Sequence, residues 1–313
     1  MKVALFLFSG TGNTNKCGEF LKNHFLENQD DVDIYVHEIG KQCLLNPNDY
    51  DLIGFGYPIH AFNVPQTFIH FIRSLPQVDN KKYFIFKVSG EPFALNNASS
   101  HMMYSILKRK GYKLVGEKHF LMPYNIMFKY NDQLQKQMYL YLDPLTKVMV
   151  NNLSNDKQER IKYNPLLIFW SFLLRIEWLA PKINCLFLHN RKDKCTKCMI
   201  CVNNCPQKAM YINKKGKIKT HSNCALCMRC SLNCPVAALH MGIFEPWAVH
   251  GGFHYQKLVE DTSNPGIYVN YNTKGYFKLF RKYFLKQNKL LKENNIPLPV
   301  VYNEENALEN LEK

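Results

Sequence analysis

The chain has 313 residues, of which 46% are hydrophobic and 13% aromatic, so it carries enough apolar side chains for about two packed domains. Its 40 Lys and Arg residues against 25 Asp and Glu residues give a formal net charge of +15, which favours acidic partners or an anionic membrane surface. No segment has the pattern of a nucleic-acid-binding motif, a signal peptide or a membrane-spanning helix of about 20 apolar residues, so we expect a soluble, cytoplasmic protein that binds no nucleic acid.

The N-terminal part of the chain alternates between strand-like and helix-like segments. Apolar runs predict buried strands at residues 3–8, 32–39, 51–56, 83–89 and 112–121. Helical spacing of apolar residues predicts helices at 16–26, 64–75 and 98–110. This alternation predicts an α/β fold with a doubly wound, five-stranded parallel sheet. Such a sheet binds its ligand beyond the carboxyl ends of its strands, which here are the loops that start at Ser9, Tyr57 and Ser89.

The loop after the first strand has the composition of a phosphate site. The run Ser9-Gly10-Thr11-Gly12-Asn13-Thr14 combines hydroxyl donors with two glycines, which let backbone N–H groups turn inward. The helix that follows presents its positive N-terminus to an anion. Because the loop lacks the third glycine of a dinucleotide fingerprint and the Gly-Lys pair of a P-loop, it suits a terminal monophosphate.

Residues 126–188 carry no chemical motif and predict a helical connector. Apolar residues at helical spacing predict helices at 133–153 and 165–179, and the polar residues 154–160 between them predict a hinge. Because these helices lie between the last strand and the cysteine-rich region, we expect them to dock that region onto the ligand end of the sheet.

Residues 195–234 repeat one cysteine pattern twice. Each run reads Cys-x-x-Cys-x-x-Cys-x-x-x-Cys-Pro, in which three thiolates bind one iron–sulfur cluster and the fourth crosses to the other cluster. Zinc sites usually contain two Cys-x-x-Cys or Cys/His pairs, so this spacing does not match them. No secretory segment indicates an oxidising compartment, so disulfides are not expected. The spacing therefore predicts two [4Fe–4S] clusters. The first is assigned to Cys195, Cys198, Cys201 and Cys234, and the second to Cys224, Cys227, Cys230 and Cys205. No role is assigned to Cys17, Cys43 and Cys185.

The region after the cysteine runs predicts a basic amphipathic helix at 276–292. Phe277, Phe280, Phe284 and Leu291 recur at helical spacing, with Lys and Arg residues between them. The helix could lie on anionic lipid as a peripheral membrane contact, or meet an acidic partner. Packing of its apolar face on the core of the protein itself is the commoner arrangement.

The N-terminal residues resemble flavodoxin. Residues 9–14 match the Thr/Ser-x-Thr-Gly-x-Thr phosphate loop of that family at every defined position. The run Gly56-Tyr57-Pro58-Ile59-His60-Ala61-Phe62 falls where flavodoxins place the loop that packs on the flavin ring. Together with the cysteine runs, the chain resembles fusions of a flavodoxin domain to a bacterial two-cluster ferredoxin, the EFR-type family ferredoxins.

This resemblance implies FMN beside the two [4Fe–4S] clusters. The phosphate would be held by Ser9, Gly10, Thr11, Gly12, Asn13 and Thr14. The ring would be flanked by Tyr57, Pro58, Ile59, His60, Ala61 and Phe62, and its polar edge approached by Ser89, Gly90 and Glu91. The implied regions are a flavodoxin-like domain at 1–125, a helical connector at 126–188, an α+β two-cluster ferredoxin domain at 189–242 and a C-terminal extension at 243–313.

Three functions fit these parts. The first is electron transfer in an anaerobic cytoplasm. FMN would exchange one or two electrons and each cluster would exchange one. The partner would be an acidic redox protein such as a ferredoxin, a flavodoxin or a reductase. The second is a flavin-dependent reductase of a quinone, a nitro compound or a similar substrate, which an accessible pocket over the flavin would favour. The third is a redox sensor that binds a partner. No constellation of general acid, base or nucleophile stands out, which favours the carrier; oligomeric state and direction of electron flow stay open.

Overall fold

All five predicted strands lie in one parallel sheet. The computed structural model describes residues 1–36, 46–303 and 307–308, so the end of the predicted strand at 32–39 and Cys43 lie outside the described residues. The strands are β1 (Lys2–Leu7), β2 (Asp31–Val36), β3 (Leu52–Pro58), β4 (Lys81–Ser89) and β5 (Tyr112–Leu121). Their order is β2-β1-β3-β4-β5, with every pair parallel. This is the flavodoxin-like strand order, and it confirms the predicted fold class.

Helices cover both faces of this sheet. They are α1 (Asn13–Glu27), α2 (Gln66–Ser74) and α3 (His101–Arg109), with 3₁₀ helices at Pro47–Asp49 and Ala94–Ser100. Successive β1 side chains alternate between two cores. Leu5 points to the face covered by α1, whereas Phe6 points to the face covered by α2 and α3. Burial on both faces explains why β1 is an almost unbroken apolar run.

The connector contains four short helices rather than two long ones. They are α4 (Asp132–Leu140), α5 (Leu142–Ser154), α6 (Pro165–Leu173) and α7 (Ala180–Asn184), and a 3₁₀ helix at Leu174–Leu179 joins the last two. The predicted helix at 133–153 is thus divided at Tyr141. Pro144 in the first turn of α5 explains the division, because proline lacks an N–H and clashes with the carbonyl four residues earlier in a continuous helix.

The cysteine runs form a small α+β domain with internal symmetry. Its elements are β6 (Leu188–Asn190), α8 (Ile200–Asn203), β7 (Met210–Ile212), β8 (Ile218–Thr220), α9 (Arg229–Leu232) and β9 (Leu239–Met241). The strands pair as two antiparallel ribbons, β6 with β9 and β7 with β8. Met199 and Met228, which immediately precede the two helices, share the left-handed backbone conformation with φ of 60° and 59°. The two sequence repeats therefore adopt the same local backbone.

The C-terminal extension completes the core of the N-terminal sheet. It contains a 3₁₀ helix at Gly242–Trp247, α10 (Tyr255–Glu260), a 3₁₀ helix at Gly275–Phe277 and α11 (Lys278–Glu293). The apolar face of α11, with Phe280, Phe284 and Leu291, is fully buried in the core that also contains α1 and α5 side chains. The apolar face of the predicted basic helix therefore packs on the protein itself. In the described part of the chain, no helix is long and apolar enough to cross a membrane.

A buried ion pair fixes the segment beyond the third ligand loop. Lys87 in β4 and Glu117 in β5 are almost fully buried, with 2.7 Å between Nζ and Oε1. The Ser100 hydroxyl donates to the same carboxylate oxygen at 2.5 Å, and Lys87 Nζ also donates to the carbonyl of Asn97 at 2.9 Å. Burial lowers the pKa of Lys87, and the Glu117 carboxylate offsets part of that effect. The pair therefore ties the 3₁₀ helix at Ala94–Ser100 to the sheet.

We expect Glu117→Ala to lower the free energy of unfolding by about 3–5 kcal/mol, because it leaves the Lys87 ammonium buried without its counter-charge. Urea unfolding followed by circular dichroism measures the loss. The double variant Lys87→Met/Glu117→Leu should recover most of it, since both charges are replaced by apolar groups of similar size. A Glu117→Ala protein as stable as the parent would contradict this account.

Candidate functional site

A cavity of about 1370 Å³ lies beyond the carboxyl ends of β1, β3 and β4. All three predicted ligand loops contribute to its wall. The predicted site residues that line it are Ser9, Gly10, Thr11, Asn13, Thr14, Pro58, Ile59, His60, Ala61, Phe62, Ser89, Gly90 and Glu91. Gly12 instead faces an adjoining cleft of about 390 Å³, which Lys208 and Arg229 also line. The structure thus gathers residues that are far apart in the sequence into one concave site.

The first loop is held open by its own side chains. Ser9 Oγ accepts hydrogen bonds from the backbone N–H groups of Gly12 at 3.1 Å and Asn15 at 3.4 Å. Gly12 has φ of 98°, a left-handed conformation that glycine adopts without strain, and α1 starts immediately after it. The side chain of Asn13 is already engaged, because Nδ2 donates to the carbonyl of Pro123 at 2.9 Å and Oδ1 accepts from the hydroxyl of Tyr255 at 2.7 Å. The side chain of Asn13 therefore braces the loop, and the contact of Asn13 with phosphate stays a prediction.

Several polar atoms of the cavity wall are buried without a hydrogen-bond partner. Burial of such atoms is unfavourable unless a ligand or water satisfies them. They are Thr14 Oγ1, Thr67 Oγ1, Glu91 Oε2, Trp178 Nε1, Gln207 Nε2 and Gln207 Oε1. The Thr14 hydroxyl stands at the N-terminus of α1, where an anion is favoured, while the others surround the rest of the cavity. This distribution fits a ligand with a phosphate at one end and a ring with a polar edge, as in FMN.

The second loop differs from the prediction at Tyr57. Tyr57 is fully buried in the core under α2, and its hydroxyl is 3.2 Å from Ser99 Oγ. Because side chains alternate along β3, Tyr57 shares the core-facing side with Phe55 and cannot flank a ring in the cavity. His60 and Phe62 do line the cavity. Burial lowers the pKa of His60 to about 4, so the imidazole is neutral at pH 7.

The third loop places a carboxyl group in the cavity wall. Asn96 Nδ2 donates to Glu91 Oε1 at 3.1 Å, while burial raises the pKa of Glu91. Next to it, Gly90 packs against the ring of Tyr124, which would lie 2.4 Å from a β-carbon at this position. Tyr130 also donates its hydroxyl to the carbonyl of Gly90 at 2.8 Å. A glycine is therefore needed here for packing.

Sequence reasoning missed a second group of cavity residues. Tyr124 and Asn125 follow β5, Trp178 and Lys182 belong to the connector, and Trp247 precedes α10. None of them lies in a recognisable motif, so only the fold brings them to the ligand loops. The connector does reach the ligand end of the sheet, as expected from its position in the chain.

The second cysteine run forms another part of the cavity wall. Cys224, Ala225 and Leu226 line the same cavity as the three loops. Gln207, which follows the first cysteine run, lines it as well. A cluster held by the second group of cysteines would therefore stand directly beside the ligand of the sheet.

Arg229 joins the phosphate loop to both cysteine runs. Its guanidinium donates to the carbonyls of Ser9 at 2.5 Å, Gly10 at 2.6 Å and Asn204 at 3.0 Å. A β-carbon on Gly10 would lie 2.6 Å from both the β-carbon and the carbonyl oxygen of Cys227, so this contact also requires glycine. An arginine between two predicted cluster cysteines was a visible signal, but its role follows only from the structure.

The structure places the eight cysteines in two groups. Cys195, Cys198, Cys201 and Cys234 line one small cavity. Burial, together with the neighbouring thiols of that group, raises the pKa of Cys201 to about 11. Cys205 lies with the other group: burial raises the pKa of Cys224 to about 12, with the neighbouring thiols of Cys227 and Cys205 adding to the effect. The fourth cysteine of each run thus stands beside the first three of the other run.

Each of the two groups consists of four cysteine thiols. Among the residues that the structure describes, no three Cys, His, Asp or Glu side chains converge on one ion position. A cubane holds its four cysteine ligands around a cage of iron and sulfide, each thiolate on a different iron. The donor set and its arrangement fit [4Fe–4S] clusters.

Comparisons with known proteins found similarities to two parts of the chain. Residues 194–241 match the family model of a 4Fe-4S dicluster domain. Solved structures similar to the N-terminal part include a flavodoxin from the domain Archaea, with 14% identity, a TM-score of 0.34 and coverage of 49% of this chain and 99% of that chain. Flavodoxin 1 from Bacillus cereus has 15% identity, a TM-score of 0.34 and coverage of 45% and 95%. An NADH:FMN oxidoreductase in its apo form has 13% identity, a TM-score of 0.38 and coverage of 53% and 92%.

No match was found among curated proteins. The strand order of the sheet, rather than these distant structural likenesses, establishes the fold of the N-terminal domain.

We expect Thr14→Val to weaken FMN binding by at least about tenfold, because it removes a buried hydroxyl that would donate to a charged phosphate, a bond worth about 1.5–3 kcal/mol. Fluorescence titration of the flavin-free protein measures the change. Riboflavin, which has no phosphate, should bind as it does to the parent. Thr67→Val is the matched control, since it alters the cavity away from the phosphate loop and should change the affinity for both flavins by the same factor. Equal loss of both flavins in Thr14→Val would mean that Thr14 does not contact the phosphate.

Proposed function

We propose that this iron–sulfur flavoprotein, a flavodoxin-like domain joined to a 4Fe-4S dicluster domain, transfers electrons between FMN and two [4Fe–4S] clusters. One observation supports the proposal above all others: Cys224 and its two neighbours line the cavity that the flavin loops enclose. When bound, FMN exchanges one or two electrons and each cluster exchanges one, so the adjoining sites would couple two-electron to one-electron carriers.

The residues of the cavity have separate tasks in this proposal. The backbone N–H groups of the first loop and the Thr14 hydroxyl bind the phosphate, while the side chains of Ser9 and Asn13 keep that loop in shape. Phe62 and Trp178 line the apolar wall and exclude water from the ring. Glu91, whose pKa is raised by burial, presents a carboxyl group to the polar edge of the ring.

The exposure of the cysteines supports an order for the two clusters. Cys227 in the second group is buried, and Cys224 stands at the flavin cavity. Cys198 in the first group is exposed at the protein surface. We infer that an external partner meets the first cluster, and that the second cluster connects it to the flavin.

Charge at the first cysteine run supports an acidic redox protein as that partner. Seven lysines around the run and the ribbon that follows it are exposed: Lys192, Lys194, Lys197, Lys208, Lys214, Lys215 and Lys217. The Arg229 guanidinium is hydrogen-bonded to the carbonyls of Gly10 and Ser9, so it does not belong to this surface. A basic surface attracts acidic carriers and raises their association rate at low salt.

A second candidate function is favoured by the size of the cavity. Its volume of about 1370 Å³ exceeds the roughly 300–1,000 Å³ typical of one small-molecule site. Its lining also includes Thr67, His70 and Phe71 of α2 and Trp178 of the connector. This space favours a flavin-dependent reductase of a flat apolar acceptor such as a quinone. Steady-state reduction of a water-soluble quinone with excess reductant distinguishes the two functions. The rate of a reductase should saturate with quinone concentration, because the quinone binds in this space, whereas the rate of a carrier should rise in proportion to it.

Reductive titration tests the cofactor content and the cluster ligands together. Protein purified without oxygen should take up about four electrons from dithionite, two at FMN and one at each cluster. Cys205→Ser should reduce the uptake to about three electrons and remove the electron paramagnetic resonance signal of the second cluster, because the fourth ligand of each run crosses over.

Cys234→Ser is the matched control for this titration, since it should remove the signal of the first cluster and leave the second. FMN should stay bound in both variants. Damage by Cys205→Ser confined to the first cluster would contradict the crossover, and a parent protein without flavin would contradict the proposed function.

We expect electron transfer with an acidic ferredoxin to slow by at least about tenfold between about 0.01 M and 1 M salt, as the Debye length falls from about 30 Å to 3 Å. Stopped-flow absorbance measures the rate. Replacement of Lys192, Lys194 and Lys197 by Glu should slow the reaction at low salt and remove its salt dependence. Replacement of Lys282, Lys289 and Lys292 of α11, which changes the net charge equally, should have a much smaller effect. Equal effects of both triple variants would mean that the partner does not dock at the first cysteine run.

A further inference from the structure

The connector exposes an unusually large apolar surface. Ten large apolar side chains between residues 166 and 187 are 43–71% exposed. They are Leu166, Phe169, Trp170, Phe172, Leu173, Ile176, Leu179, Ile183, Leu186 and Phe187. We call this surface the connector face. Single exposed apolar residues are ordinary, but a contiguous group in one segment indicates contact with another apolar phase.

Helix α6 has no polar outer side. Apart from Ser171 its residues are all apolar, and Ser171 is the one that is buried. The Ser171 hydroxyl donates to the carbonyl of Phe62 at 3.0 Å and to Asn63 Oδ1 at 3.0 Å, so the polar group faces the protein and the apolar groups face outward. An ordinary surface helix has the reverse arrangement, as α11 shows with its buried phenylalanines and exposed lysines.

The charges around the connector face have one dominant sign. Between residues 161 and 190 the only acidic residue is Glu177, whereas the basic residues are Lys162, Arg175 and Lys182. Arg191, just beyond this range, is paired with Glu245 and is not counted. The Arg175 guanidinium lies over the rings of Phe172 at 5.3 Å and Trp178 at 6.0 Å. Exposed aromatic residues beside basic ones are typical of surfaces that enter the headgroup region of an anionic bilayer.

We propose that the connector face docks the protein on an anionic lipid bilayer, lying in the interface without crossing it. Apolar side chains enter the boundary of the acyl chains, and the neighbouring Lys and Arg residues contact lipid phosphates. A second copy of the chain fits this face less well, because each copy carries a formal net charge of +15 and the basic residues that flank the face would repel each other. This docking is independent of the electron-transfer function proposed above.

Flotation with lipid vesicles tests the proposal on the full chain with its cofactors. The protein should bind vesicles of phosphatidylcholine mixed with phosphatidylglycerol at least about tenfold more tightly than vesicles of phosphatidylcholine alone. Phe169→Glu/Phe172→Glu should weaken binding to the mixed vesicles by at least about tenfold, because it removes two exposed aromatic anchors and adds two negative charges.

Leu279→Glu/Val301→Glu is the matched control, since it makes the same charge change at two exposed apolar residues outside the connector face. This control should bind vesicles like the parent, and unchanged flavin and iron contents show that both double variants are folded. Four results would overturn the proposal: no binding of the parent to mixed vesicles, equal binding of the parent to both vesicle types, unaltered binding of Phe169→Glu/Phe172→Glu, or loss of binding in the control. Sedimentation velocity could give a fifth contradicting result. If the parent is a dimer that does not bind vesicles, and Phe169→Glu/Phe172→Glu converts it to a monomer, the connector face binds a second copy of the chain.

Discussion

The guanidinium of Arg229 binds two carbonyls of the phosphate loop and one carbonyl at the end of α8, and the placement of the two cofactor regions depends on that contact. A planar guanidinium can satisfy three acceptors at fixed angles, so it determines the orientation of the loops as well as their distance. Gly10 allows the approach, because no side chain keeps the loop away from Cys227. Asn125 adds a hydrogen bond from the segment after β5 to the carbonyl of Cys227 at 3.1 Å. Backbone atoms of the phosphate loop and of the second cysteine run are consequently in direct contact.

Burial makes free thiolates unfavourable in both cysteine groups. Burial and neighbouring thiols raise the pKa of Cys201 to about 11 and the pKa of Cys224 to about 12. Iron bound to these cysteines would supply the positive charge that buried thiolates require. Hydrogen bonds then act on the sulfur atoms: the N–H of Ala209 donates to Cys205 Sγ at 3.3 Å, and the N–H of Ala238 donates to Cys234 Sγ at 3.2 Å. Cys205 and Cys234 therefore each accept one equivalent backbone hydrogen bond, although the two groups differ in exposure.

Short-range patterns in the sequence determined much of the fold and part of the site. The cysteine spacing, the composition of the loop at 9–14 and the apolar runs of the sheet are all local, and each could be recognised without the structure. Tyr57 could not be placed, because a strand buried on both faces has no alternation that tells which side chains face the cavity. Asn13 belongs to the right loop, but its partners Pro123 and Tyr255 come from distant elements. The same holds for Trp178, Trp247 and Arg229, whose places depend on how the connector and the cysteine runs pack against the sheet.

The close packing of Gly10 against Cys227 has a kinetic consequence. In proteins whose carrier domains are joined by flexible tethers, one domain must swing between docking positions, and that motion slows as the solvent becomes more viscous. Here the phosphate loop and the second cysteine run are held together by Arg229 and by direct backbone contact, so the internal electron transfer proposed above would require no swing. Its rate should therefore depend on the medium between the cofactors and not on the viscosity of the buffer, which would leave encounter with the external partner as the step that glycerol or sucrose slows.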